Sequence, residues 1–234
     1  MNSNKSAENR RAAFYGGSFD PLHNGHLTIA RKLTELFALD EFFFIPAFHA
    51  PHKKTKKPTS AFYRFAMLCL ATENEAKIKI SIVELDAPEK PFTFETQTKL
   101  KTELADTEIF FVIGADSWQE IDTWREWEKV LTLTNVIVVT RPDYEIGFSH
   151  VSEEIRERII DLRGQAAGFR FQVAELKLAI ESSNPATKIY ITDVVNLDVS
   201  ATEIRRKIRA NENDWRELVP NEVAKYIEKY ELYI

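Results

Sequence analysis

The sequence predicts an α/β protein with a doubly wound parallel sheet, C-terminal helices and a single domain. Three observations lead to this prediction. Segments with the composition of buried strands alternate with segments of helical periodicity along most of the chain, an order typical of parallel sheets with helical connections. Several strand segments are apolar at every position, as expected where helices cover both faces of a sheet. The chain has 234 residues, 44% of them hydrophobic, so it can bury one sizeable core.

Short apolar or alternating runs predict six strands. The first run stops at the pair Gly16-Gly17, the second is closed by Pro46, and a fully apolar run ends at Gly114. Glycine and proline commonly mark the ends of regular elements, so these boundaries support the strand assignments. The predicted strands are residues 12–15, 42–45, 79–85, 109–113, 136–140 and 189–192.

Helical periodicity accounts for most of the intervening segments. In residues 24–37, Ile29, Leu33, Leu36 and Phe37 lie on one face of a helix. The predicted helices are residues 24–37, 61–72, 93–104, 117–131 as one or two helices, 152–162, 201–209 and 220–230. Ligands of such sheets bind beyond the carboxyl ends of the strands, so the residues that follow each strand are the candidates for function. Residues 164–188 fit no element.

Composition and charge exclude several classes of protein. Lys and Arg number 31 and Asp and Glu 36, a formal net charge of −5, which argues against an extended nucleic-acid surface. The single cysteine, Cys69, argues against a disulfide scaffold and fits a reducing, cytoplasmic compartment. No apolar run approaches the roughly 18–20 residues that cross a bilayer. We expect residues 1–11, which are polar and charged, to be a disordered lead-in to a domain of residues 12–234.

The first strand–helix turn has the composition of an anion site. It reads Gly16-Gly17-Ser18-Phe19-Asp20-Pro21-Leu22-His23-Asn24-Gly25-His26. Glycines at a strand end allow a ligand to approach the backbone, and the following helix N-terminus offers unpaired N–H groups. His23 and His26 share one side of the helix start and can donate hydrogen bonds to phosphate oxygens. Gly25 between them leaves space for a bulky group. Two incidental histidines, or a metal-binding pair, are the alternatives to a phosphate site.

A second candidate phosphate site lies near the C-terminus. Ser200 followed by Glu203 is a capping box, which predicts that a helix begins here. The helix N-terminus, the Thr202 hydroxyl and Arg205 together form a phosphate cradle. The alternative is an ordinary capped surface helix with exposed arginines.

A basic loop after the second strand is a third candidate. The loop contains His49-Ala50-Pro51-His52-Lys53-Lys54, and a mobile basic loop can close over a triphosphate and neutralise developing charge. Arg64 on the next helix could face the same site. The alternative for the loop is a solvated, lysine-rich connection.

Two further features bear on a nucleotide site. Asp116 follows a fully apolar strand, where a carboxylate can accept hydrogen bonds from ribose hydroxyls, or it can cap the next helix. Trp124 and Trp127 lie three residues apart, a spacing more typical of core residues than of a ligand platform.

These motifs resemble those of the H-x-G-H nucleotidylyltransferases, and more narrowly those of bacterial nicotinate mononucleotide adenylyltransferases. The first turn resembles G-G-S-F-D-P-x-H-x-G-H, and residues 199–205 resemble I-S-x-T-x-I-R with Val199 in the isoleucine place. Residues 50–53 resemble P-P-H-K, residues 114–117 match G-A-D-S, and the tryptophans match W-x-x-W. The match to S-Y-T-x-x-T at residues 92–96 is imperfect, because Phe92 replaces the tyrosine. The resemblance extends over residues 12–233.

The resemblance implies a Rossmann-like fold and the transfer of an adenylyl group from ATP to nicotinate mononucleotide in NAD biosynthesis. The residues implied in catalysis are His23, His26, Lys53 and Arg205. Those implied in ATP binding are Gly16, Gly17, Ser18, Phe19, His23, Gly25, His26, Asp116, Ser200, Thr202 and Arg205. Those implied in acceptor binding are His52, Lys53, Thr93, Trp124, where the pyridine ring would stack, and Arg141.

The resemblance also sets the expected cofactor and partners. Mg²⁺ is expected to arrive bound to ATP, with no metal site of the protein's own. We expect the partners to be these two small molecules, without nucleic acid or membrane. Three alternatives stay open: another acceptor, namely nicotinamide mononucleotide or phosphopantetheine; a non-catalytic nucleotide-binding regulator; and an RNA-binding relative of aminoacyl-tRNA synthetase domains.

Overall fold

A parallel sheet forms the centre of the protein. The computed structural model describes residues 10–47, 59–87, 89–140, 146–164, 187–195 and 198–234. Within these ranges the sheet has seven strands, all paired in parallel. They are β1 Arg10–Gly17, β2 Glu41–Pro46, β3 Ile78–Ile80, β4 Thr107–Gly114, β5 Asn135–Val139, β6 Ile159–Asp161 and β7 Ile189–Thr192.

The strand order places a ligand crevice between β1 and β4. The order across the sheet is β3-β2-β1-β4-β5-β7-β6, so the chain builds outward in one direction from β1 and in the other from β4. The connections that leave the carboxyl ends of β1 and β4 therefore run in opposite directions. A crevice is left between them, where ligands of such sheets bind. The predicted doubly wound, Rossmann-like α/β fold is therefore confirmed.

Helices follow most of the strands and cover both faces. They are α1 Asn24–Leu36, α2 Ala61–Thr72, α3 Thr93–Glu103, α4 Ala115–Gln119, α5 Trp127–Thr132, α6 Glu153–Arg156, α7 Ala201–Arg209 and α8 Asn221–Lys229. Short 3-10 turns lie at Ile121–Thr123 and Asp214–Leu218. No helix within the described residues is long and apolar enough to span a membrane.

The two faces of the sheet carry separate parts of the core. Alternate residues of β1 divide between them: Ala13 and Tyr15 pack with α1, whereas Ala12 and Phe14 pack on the face of α4 and α5. This division follows from the two-residue period of a strand. A third cluster, which includes Trp215 and Ile227, joins the C-terminal helices to α2.

Two predicted elements differ from the structure. Residues 152–162, predicted as one helix, form the four-residue α6 and then β6. Ile160 pairs with Tyr190 of β7, so a long-range partner overrides the local helical pattern. The predicted strand 79–85 is wrong beyond Ile80: only Ile78–Ile80 pair with β2, at Phe42–Phe44, and residues 83–85 form a turn. The segment 117–131, predicted as one or two helices, holds two, α4 and α5, with a 3-10 turn between them.

The first strand also begins earlier than predicted. Arg10 and Arg11 belong to β1, although their charge is unusual for a buried strand. Arg11 donates from Nε to Glu108 of β4 at 2.8 Å, and Arg10 forms an ion pair with Glu41 of β2. Opposite charges on neighbouring strands stabilise this extension.

Candidate active site

A cavity of about 690 Å³ opens at the carboxyl ends of β1 and β4, at the point where the strand order reverses. Both predicted phosphate motifs contribute to its wall, together with the segment after β4 and the start of α3. The predicted site residues that line it are Gly16, Gly17, Ser18, Phe19, His23, His26, Thr93, Asp116, Trp124, Ser200, Thr202 and Arg205. The structure therefore brings together residues that are far apart in the sequence.

The two histidines are held in place by each other. The backbone N–H of His23 donates to Nδ1 of His26 at 3.2 Å, and their rings stack with centroids 3.6 Å apart. Both are buried, with exposed fractions of 3% and 8%. Because Nδ1 of His26 accepts a hydrogen bond, the ring proton of His26 is carried on Nε2. This imidazole is thus oriented as a donor before a substrate binds.

The lack of a side chain at Gly25 leaves room for the His23 ring. It is buried and does not line the cavity. A Cβ atom at Gly25 would lie 3.0 Å from Nδ1 and 3.2 Å from Cε1 of His23. The His23 ring therefore occupies the space that a side chain at position 25 would need.

The second phosphate motif begins a helix as predicted. Ser200 is the N-cap of α7, and its Oγ accepts from the backbone N–H of Glu203 at 3.2 Å. The Glu203 carboxylate does not complete the capping box, because it pairs with Arg206 at 2.7 Å. Ser200, Ala201 and Thr202 at the start of α7 line the same cavity as His23 and His26 at the start of α1.

Arg205 joins the two motifs. Its Nη1 donates to the main-chain carbonyl of Asp20 at 2.5 Å, and its Nη2 donates to Oγ1 of Thr202 at 3.2 Å. The guanidinium is thereby fixed at the cavity wall between the first turn and α7. A fixed, delocalised cation is well suited to bind phosphate oxygens.

Asp116 lies directly over the end of β4. Gly114 is the N-cap of α4, and Asp116 is in the first turn. A Cβ at Gly114 would come within 2.5 Å of Oδ1 of Asp116. Glycine at this position is what permits the carboxylate to reach the cavity.

One part of the cavity wall is aromatic and charged, namely the part formed by Phe92, Thr93, Trp124 and Arg125. Trp124 is half-buried at the wall, whereas Trp127 packs against the same core without lining the cavity. Thr93 is the first residue of α3, and Phe92 before it presents its ring to the guanidinium of Arg125 at 4.7 Å. This part of the wall therefore offers flat rings and a cation to a ligand.

Glu84 in the same wall was missed by sequence reasoning. Burial raises the pKa of its carboxyl to about 7, while a hydrogen bond from Thr96 and the charge of Lys90 partly oppose that rise. Thr96 donates from Oγ1 to Oε1 of Glu84 at 3.1 Å. Nothing in the local sequence marks this residue, because its burial comes from α3 packing over it.

Arg64 does not face the nucleotide site. It is buried, and its guanidinium donates to the carbonyl oxygens of Ser18 and Ala47, both at 2.6 Å, and of Thr59 at 2.9 Å. Burial lowers its pKa, and the negative charge of Asp20 opposes this. Arg64 therefore clamps the backbone behind the first turn.

Three predicted site residues lie outside the described residues: His52, Lys53 and Arg141. The same holds for residues 1–9 of the expected lead-in and for residues 165–186.

Comparison with known proteins agrees with this geometry. Residues 14–207 match the family model described as cytidylyltransferase-like. The probable nicotinate-nucleotide adenylyltransferase of Desulfatibacillum aliphaticivorans is 34% identical over 228 residues, which cover 96% of this chain and 100% of that protein. The protein of the same name from Corynebacterium jeikeium is 31% identical over 219 residues, covering 94% and 98%. The chain belongs to the nicotinate-nucleotide adenylyltransferases of the cytidylyltransferase-like family.

A solved structure shows the same fold at lower identity. The Plasmodium falciparum nicotinic acid mononucleotide adenylyltransferase complexed with NaAD is 20% identical and superposes with a TM-score of 0.69. The match covers 96% of this chain and 97% of that chain. Nearly all of this nucleotidyltransferase chain thus has a counterpart in that fold.

Proposed function

We propose that this protein transfers the adenylyl group of ATP to nicotinate mononucleotide, forming nicotinate adenine dinucleotide and pyrophosphate in NAD biosynthesis. One observation of the geometry carries the proposal. The hydrogen bond from Arg205 to the carbonyl of Asp20 brings two phosphate-binding helix starts to one cavity. Relatives over nearly the whole length of the chain have the name of this activity.

The cavity divides into two halves in this proposal. ATP occupies the half formed by the first turn, the end of β4 and the start of α7. Its expected contacts are Gly16, Gly17, Ser18, Phe19, His23, His26, Asp116, Ser200, Thr202 and Arg205. The acceptor occupies the half with the aromatic rings, where Trp124 stacks on the pyridine ring and Thr93 receives its substituent through the backbone. His52, Lys53 and Arg141 complete the expected acceptor contacts.

The reaction is an in-line displacement at the α-phosphorus of ATP. A phosphate oxygen of the acceptor attacks, a new P–O bond forms, and the bond to the bridging oxygen of the β-phosphate breaks so that pyrophosphate leaves. The attacking oxygen is already ionised at neutral pH, so the step needs no general base. Catalysis then rests on positioning and on stabilising charge. His23, His26, Arg205 and Lys53 are the groups proposed for it.

The His26 geometry fits this role. The neutral imidazole holds its proton on Nε2 because Nδ1 accepts from the His23 backbone. A donor fixed in advance requires little rearrangement when charge develops on the transferring phosphate.

Mg²⁺ would be carried by the phosphates of ATP. A small hard cation of this kind keeps several waters and is commonly held by substrate phosphates together with one or two carboxylates. The Asp116 carboxylate in the cavity wall is an oxygen donor of that type. When bound, the ion would neutralise part of the negative charge of the triphosphate.

One observation favours a second acceptor, nicotinamide mononucleotide. Glu84 lines the cavity, and its carboxyl has a pKa of about 7. Its ionised form would accept a hydrogen bond from a carboxamide and repel a carboxylate. Arg125 and Lys90 in the same wall favour the carboxylate instead.

The decisive experiment measures product formation with each acceptor. Purified protein is incubated with ATP, Mg²⁺ and nicotinate mononucleotide, nicotinamide mononucleotide or phosphopantetheine, and pyrophosphate and the adenylylated product are quantified. We expect the highest kcat/KM with nicotinate mononucleotide. Binding of ATP without turnover of any acceptor would instead indicate a regulator. A preference for another acceptor would refute the acceptor assignment while leaving adenylyl transfer intact.

A further inference from the structure

Asp20 connects the first turn to two distant parts of the chain. The residue is 7% exposed. Its Oδ1 accepts from the hydroxyl of Tyr233 at 2.8 Å, and its Oδ2 accepts from the backbone N–H of Thr59 at 3.2 Å. Its main-chain carbonyl accepts from Arg205. One buried residue thus links the C-terminal segment to the guanidinium at the cavity wall.

The C-terminal segment is shaped to bring Tyr233 to this position. Leu232 is buried in the cluster that contains Ile204 of α7, and its N–H donates to the carbonyl of Ile227 at 3.0 Å. Glu231 and Tyr233 have φ angles of 50° and 72°. Residues with a side chain avoid this left-handed region unless the surrounding contacts hold them there. The anchored Leu232 and the hydrogen bond to Asp20 are such contacts.

The Tyr233 hydroxyl is a permanent donor. Burial, followed by the negative charge of Asp20 and the hydrogen bond to it, raises its pKa well above the ordinary value, while a hydrogen bond with the Thr59 side chain and then the positive charge of Arg205 act in the opposite direction. The hydroxyl therefore keeps its proton throughout the neutral range. The hydrogen bond to the Asp20 carboxylate joins a neutral donor to a charged acceptor, which is stronger than a neutral pair.

We propose that Tyr233 is a positioning residue for triphosphate binding: its hydroxyl holds Asp20 in the orientation in which the Asp20 carbonyl fixes the Arg205 guanidinium. This inference rests on the proposed nucleotide-binding function of the same cavity. When the hydroxyl is removed, Oδ1 of Asp20 loses this donor. The turn can then shift, and Arg205 loses its fixed position.

The test compares Tyr233→Phe with Tyr230→Phe as a matched control. Tyr230 is half-exposed and packs against the rings of Tyr63 and Tyr226, away from Asp20.

Dissociation constants of ATP and of AMP are measured by calorimetry for both variants and for the unaltered protein. AMP lacks the β- and γ-phosphates, to which we assign the Arg205 contact. Loss of part of one charged hydrogen bond predicts that Tyr233→Phe weakens ATP binding about three- to tenfold. AMP binding should stay unchanged, and Tyr230→Phe should bind both nucleotides normally.

Each outcome decides a separate point. Unchanged ATP binding in Tyr233→Phe would overturn the inference. An equal loss of affinity for ATP and AMP would overturn it too. Either result would leave the proposed function intact. Failure of the unaltered protein to bind ATP would refute the proposed function and this inference with it. Should Tyr233→Phe unfold below the assay temperature, Asp20→Asn weakens the same hydrogen bond by removing the charge. We expect that variant to lose about two- to threefold in ATP affinity and none for AMP; unaltered ATP affinity would overturn the inference.

Discussion

The substitution Gly25→Ala should move the His23 ring while leaving the stability of the fold nearly unchanged. The added Cβ would lie 3.0 Å from Nδ1 of His23, whereas ordinary contacts begin near about 3.5 Å. The ring must therefore move by roughly 0.5 Å. It cannot move toward His26 without displacing that ring as well, since the two stack at 3.6 Å. A movement in that direction would shift both proposed catalytic imidazoles.

The expected effect on catalysis is large and that on stability small. A misplacement of about 1 Å can lower a rate about 100-fold, so we expect kcat to fall about 10- to 100-fold. Replacing glycine by alanine in a helix contributes up to about 1 kcal/mol of stability, which offsets part of the crowding. The free energy of unfolding should therefore change by less than about 1 kcal/mol.

The assay combines steady-state kinetics with denaturant unfolding. Gly147→Ala is the matched control, because a Cβ there meets no atom within 4 Å. It should leave both quantities unchanged. A normal kcat in Gly25→Ala would show that the His23 ring can shift without loss, and would refute the role given to its position.

Three further predictions test other parts of the site. His26→Ala should lower kcat by orders of magnitude while circular dichroism shows an unaltered fold; near-normal turnover would rule out the assigned role. Trp124→Ala should raise the KM for the mononucleotide far more than that for ATP, and equal effects would indicate a residue that only packs in the core. Glu84→Gln should change the pH dependence of stability. The Glu84 carboxyl has a pKa of about 7 in the folded protein against an ordinary value of 4.5. Because the folded state therefore binds more protons than the unfolded state between these values, stability falls as pH rises from 4.5 to 7. Urea unfolding should show that the free energy of unfolding falls less between pH 5 and pH 8 in the variant than in the unaltered protein. An identical fall in both would exclude Glu84 as its source.

Local patterns predicted most elements because each has a signal within a few residues. The apolar run of β4, the capped start of α7 and the periodicity of α1 are of this kind. The prediction failed at residues 152–162, where Ile159–Asp161 forms a strand only because β7 lies beside it. It failed again at 79–85, where the alternating pattern continues past Ile80 but the pairing with β2 does not.

The candidate site divides in the same way. His23, His26, Ser200 and Thr202 are recognisable from their places at helix starts, and the structure places them in one cavity. Gly25 is expected to bind ATP, and the structure adds that its lack of a side chain leaves room for the His23 ring. Glu84 carries no sequence signal, since burial under α3 raises its pKa.

The sequence by itself determined which segments form helices and strands and which carry phosphate-binding chemistry, because both depend on neighbours a few positions apart. Only the tertiary structure decided that Arg205 meets the carbonyl of Asp20 across 185 positions and that Tyr233 meets its carboxylate across 213. Those contacts depend on the order of the strands and on how the C-terminal helices pack against α2. Periodicity along the chain does not encode that order, because it comes from the burial of whole faces against one another.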